Sequence, residues 1–133
     1  MFNDVITAQP TFTARVLRCL IDGAMTGAQM GFARSLVKSA APYVKRGNVR
    51  KGIRGCQVDL LVQTAQSQCY VEIKHGREIG DEVVSEMRAK LKAIRPPDGI
   101  SIRTALVYDG QLAATVPAGG YFNAVIDVRE LIF

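Results

Sequence analysis

The chain has 133 residues, 48% of them hydrophobic, and a net charge of +5, which suits one packed domain and a polyanionic partner. No apolar run approaches the length of a membrane-spanning helix, and one histidine with three cysteines lacking CxxC spacing argues against a zinc site. An odd cysteine count without a signal-peptide pattern fits a reducing cytoplasm.

Residues Met1 to Pro10 read as a lead-in. Thr11 or Thr13 can cap a helix starting near Phe12, in which Val16, Leu17, Leu20 and Ile21 recur at helical spacing. Gly23 and Thr26-Gly27 interrupt it, and Ala24 to Met30 can resume as helix. Leu36 to Val49 predicts a first strand bent at Pro42, since proline cannot donate to a ladder. Lys45, Arg46, Arg50, Lys51 and Arg54 then fall among Gly47, Gly52 and Gly55, which reads as a flexible basic loop, either gripping phosphates without reading sequence or simply solvated.

Two apolar runs, Gly55 to Val62 and Cys69 to Lys74, flank the polar stretch Gln63 to Gln68 and predict a hairpin. Ile79 to Ile94 predicts the clearest helix: Val83, Met87, Leu91 and Ile94 make an apolar stripe. Glu86 and Lys90 form an i,i+4 pair, and Asp81 and Glu82 suit the first turn. Arg95-Pro-Pro-Asp-Gly99 stops it. After this crossover Ile102 to Tyr108 predicts a central strand parallel to its neighbour, Asp109-Gly110 a turn, and Phe122 to Ile126 a short strand. Val128 to Phe133 ends the chain as a turn or strand. The predicted order is α-β-β-β-α-β-β, an α/β domain with a mixed central sheet flanked by helices.

The chemistry concentrates on the hairpin. Side chains alternate along a strand, so Glu72 and Lys74 share a face, and Asp59 opposite them would bring two carboxylates and an ammonium together. Carboxylates bind Mg²⁺ or Mn²⁺, and a lysine can steady an attacking water or the charge building on a phosphate. The plain alternative is a surface hairpin with a charged outer face, but these charges interrupt the most apolar part of the chain, where they need partners or a metal. Gln57, two residues before Asp59, is an accessory candidate, and Arg77 a candidate nucleic-acid contact beside the motif. His75 reads as structural or exposed, Lys90 and Lys92 as a solvated helix face, and Cys56 and Cys69 as small core residues.

The spacing Asp59-x12-Glu72-x-Lys74 resembles the PD-(D/E)XK nuclease superfamily. Ser39-Ala-Ala-Pro-Tyr43, Arg54 to Thr64, Val71-Glu-Ile-Lys74, Arg77-Glu-Ile-Gly80 and Ser101 to Gly110 occur in that order. Together they look like the nuclease-like C-terminal domain of prokaryotic P-loop (AAA-type) ATPases. The resemblance implies a restriction-endonuclease-like core over residues 35–133, with residues 1–34 as a divergent helical part of the same single domain. It also implies metal ligation by Asp59, Glu72 and the Ile73 carbonyl, catalysis by Asp59, Glu72 and Lys74, and hydrolysis of DNA. Its alternative is a catalytically inactive nucleic-acid-binding or assembly module. No Walker A pattern occurs, so a free-standing, truncated or excised version of the nuclease-like part is expected, with an ATPase partner in trans. A homodimer is expected from the resemblance alone. Many active members carry a first-helix glutamate; Phe12 to Lys38 contains none, and Asp22 is its only carboxylate.

Overall fold

Five strands form one mixed sheet in the order β1-β2-β3-β4-β5 in the computed structural model, which describes residues 38–132. They are β1 (Ser39–Lys45), β2 (Cys56–Gln63), β3 (Ser67–Ile79), β4 (Ser101–Leu112) and β5 (Ala124–Asp127). The first three run antiparallel as a meander, and β3-β4 and β4-β5 are parallel. Parallel neighbours need a crossover, which α1 (Glu82–Ile94) supplies between β3 and β4. Two short helices follow, α2 (Thr115–Gly119) and α3 (Arg129–Ile132). The helix expected near Phe12 lies outside the described residues.

Helix α1 forms where the stripe predicted it. Val83, Met87 and Ile94 are buried against Val58, Leu61, Tyr70 and Leu106 on one sheet face. Glu82 in the first turn accepts from the Gly80 N–H just before the helix at 3.1 Å, and backbone N–H bonds hold its carboxyl below the usual range. Arg95 ends the helix in the left-handed conformation (φ 55°), its N–H donating to the Leu91 carbonyl at 3.0 Å. The other sheet face is buried as well, through Leu60, Val62, Val71, Ile73, Ala105 and Val107. Burial on both faces accounts for the apolar centres of β3 and β4, Cys69-Tyr70-Val71 and Ala105-Leu106-Val107.

Several segments differ from the sequence reading. β1 stops at Lys45, and the basic stretch after it is a folded hairpin tip, not a flexible loop. Asn48 bridges Ile53 there, and Val49–Lys51 makes a 3₁₀ turn closed by left-handed Gly52. Asp109-Gly110 is no turn, because β4 runs on to Leu112 alongside β3. Gly110 permits this: at φ 128°, a Cβ there would lie 1.7 Å from the Gly76 carbonyl oxygen. The end of the chain, expected as turn or strand, is helix α3, and α2 went unforeseen. Thr115 at the start of α2 donates to Asp81 at 2.9 Å, tying the two helices together.

Candidate active site

Asp59 sits in a β-bulge. Ala41 pairs with Leu61 and Tyr43 with Val58, so two steps along β1 answer three along β2. The extra residue turns Val58 and Leu61, three apart, toward the same cluster under α1. On its other side β2 pairs with β3 only from Leu60↔Val71 to Gln63↔Gln68. Beyond that point Asp59 takes over the ladder's role: its Oδ2 accepts the Ile73 N–H at 2.8 Å. The N–H and C=O of one strand residue point the same way, so the Ile73 carbonyl also faces the β2 side.

Glu72, 3% exposed, points under α1, where Lys90 Nζ donates to its two oxygens at 3.1 and 3.0 Å. Burial pushes the Glu72 carboxyl up; the Lys90 bond pulls it down, and the charge of nearby Asp59 pushes it up again. Two residues on, Lys74 Nζ stands 3.4 Å from both oxygens of Glu86 in a part-exposed pair. Glu86 and Lys90 therefore do not pair with each other as the i,i+4 spacing suggested. Each turns to a β3 partner, because a buried carboxylate at Glu72 demands a cation more strongly than an exposed one does. Lys90, assigned by sequence to a solvated face, thus belongs to the site. Its only sequence signal was position: it lies beside Met87 and Leu91, at the edge of the apolar stripe.

The remaining candidates scatter around this centre. Gln57 is exposed and pairs across the sheet with Val44, on the far side of the bulge from Asp59. His75 Nδ1 lies 2.9 Å from Asp109 Oδ2 at the C-terminal ends of β3 and β4. The β3-β4 register shifts between Gly76 and Glu78, leaving exposed Arg77 as the bulged residue. His75, Arg77 and Asp109 share an open cleft of about 600 Å³ there. Of the basic group, Lys45 donates to the Ala93 carbonyl near the end of α1, Lys51 and Arg54 line a second cleft, and Arg46 and Arg50 are exposed outside it. Cys69 is a core thiol whose pKa burial raises to about 12, while Cys56 is half-buried.

The donors suit a hard divalent cation of small protein-ligand demand. Among the described residues no group of three or more acidic, histidine or cysteine side chains gathers. Mg²⁺ commonly takes one or two carboxylates and keeps several waters, which Asp59, Glu72 and the Ile73 carbonyl can match. The bond from Ile73 N–H fixes the Asp59 carboxylate and leaves Oδ1 as the oxygen outside that bond.

The chain matches no protein-family model, no curated protein and no solved structure.

Proposed function

We propose that this domain is a Mg²⁺-dependent endonuclease acting on DNA, on a restriction-endonuclease-like core of the PD-(D/E)XK type. The observation that carries this reading is the bulged Asp59, locked onto the backbone of the Glu72-Ile73-Lys74 strand beside a buried Glu72. A mixed sheet with a meander, a crossover helix and a parallel strand agrees with it. Bound Mg²⁺ or Mn²⁺, held by Asp59, Glu72 and the Ile73 carbonyl, would supply Lewis acidity and an activated water.

The side chains divide the remaining work. The backbone bond holds Asp59 in place before substrate arrives, and Lys90 holds Glu72 until a metal displaces its ammonium. Lys74 is held loosely by Glu86 at the site's edge, so its ammonium is free to swing to a phosphate oxygen and bear charge in the transition state. The basic tip and Arg77 offer backbone contacts. An ATPase acting in trans and a second copy of the chain are the partners we propose.

One observation favours a second reading, a nucleic-acid-binding or assembly module of an ATPase-linked system that does not cut. Lys90 meets both Glu72 oxygens, so an ammonium already neutralises a ligand that a metal needs. A nicking assay on supercoiled DNA with Mg²⁺ or Mn²⁺, run beside a binding titration, decides between them. The unmodified protein is expected to nick, and Lys74→Ala to lose at least 100-fold in rate, on the order of 3 kcal/mol of transition-state stabilisation, while binding DNA normally. Binding without cleavage of any DNA form leaves the second reading standing.

A further inference from the structure

The basic hairpin tip does not project alone: with the end of α1 it encloses an open cleft of about 480 Å³. Lys51 and Arg54 line one wall, Lys92 and Arg95 the other, and Lys45 ties the walls together through the Ala93 carbonyl. Among the described residues no carboxylate lines the cleft. Among the described residues none of these four cations has an ion-pair partner. Lys90, which clasps Glu72, lies less than two turns before Arg95 on the same helix.

Arg95 strengthens the case. It holds φ 55°, a conformation in which helix ends favour glycine, yet this chain keeps a long cation there that lines the cleft. Four like charges converging without counter-ions repel one another, and a ligand rich in anionic oxygens relieves that repulsion.

We propose that Lys51, Arg54, Lys92 and Arg95 form a phosphate clamp that holds a nucleic-acid backbone across the C-terminal end of α1, beside the Asp59-Glu72 centre. This rests on the nucleic-acid reading above and adds Lys92 on α1 and Arg95 at its end, which sequence reasoning left aside. The clamp recognises phosphate oxygens, which a strand or a free oligophosphate can supply. It needs no metal and no cleavage.

The test is fluorescence anisotropy with labelled duplex and single-stranded DNA in EDTA across a salt series, beside calorimetry with inorganic tripolyphosphate. Lys92→Gln alters an exposed helix residue, and Arg95→Gly relaxes the left-handed backbone, so the double variant is expected to fold, as circular dichroism will verify. On duplex DNA it should lower the slope of log K against log salt by about 1.8, roughly 0.9 for each lost phosphate contact. Lys92→Arg, which keeps the charge, should leave the slope unchanged. If native protein binds DNA and the double variant binds it with the same slope, the clamp is wrong and the nucleic-acid reading survives. If native protein binds tripolyphosphate but no DNA, and the double variant loses that too, the cleft is a phosphate site for free oligophosphates and the DNA reading fails. Binding of neither ligand overturns both.

Discussion

Glu72 carries the sharpest tension in the molecule. It is a buried carboxylate whose burial and acidic neighbour together outweigh the help of Lys90 and Lys74, so its pKa in the folded state is raised from 4.5. The folded state therefore favours the protonated form. That contribution to stability is full below the unfolded value and is lost as pH rises through the raised one. Glu72→Gln, neutral at every pH, should escape the loss. In metal-free thermal melts, the variant's Tm relative to the native protein should climb between pH 4.5 and pH 8. A relative Tm that stays flat or falls would mean the Lys90 pair outweighs desolvation. The same variant should lose nicking activity, the pattern expected where function is kept at a cost in stability. The motif residues were legible in the sequence because charges in an apolar run stand out. Their partners on α1 were not: helical spacing pairs Glu86 with Lys90, and only the packing of α1 over β3 assigns each a different partner.

At the scale of elements, the bulge in β2 and the glycine contact between β3 and β4 do the positioning. The bulge frees Asp59 from the ladder and lets it bond Ile73. No residue type announces it; Gln57 to Leu60 reads as plain alternation, and only pairing with β1 reveals the extra residue. Gly110 was misread for a related reason. Asp-Gly is a strong turn signal, but here the glycine serves a close approach of parallel strands. Gly110→Ala should therefore destabilise the fold by about 2–4 kcal/mol in urea unfolding, because the clashing atom is backbone and cannot rotate away. A change under about 0.5 kcal/mol would show that β3 and β4 separate easily at this end. Helix α1, by contrast, was readable to the residue at its end, since Val83, Met87 and Ile94 obey the helical period and the Pro-Pro pair stops it, while its start fell three residues early because Ile79 closes β3.

Across the whole molecule, the charges are sorted rather than spread. Asp59 on β2 lies near enough to Glu72 on β3 for its charge to act on that carboxyl, and cations crowd the β1-β2 tip and the end of α1. On the proposed reading, a backbone phosphate held by the second group would be offered to the first. The coarse architecture was legible from periodicity: a meander, a crossover helix and a parallel strand. The two-walled cleft was not, because Lys51 and Arg54 are separated by some forty residues from Lys92 and Arg95. The central claim is that Asp59 and Glu72 bind a divalent cation in competition with Lys90. It is tested most directly by anomalous diffraction from crystals soaked in millimolar Mn²⁺. The account predicts a peak between Asp59 and Glu72, with Lys90 Nζ released from the carboxylate and no peak in Asp59→Ala crystals. A site without anomalous density, with Lys90 still bonded to both Glu72 oxygens, would contradict it.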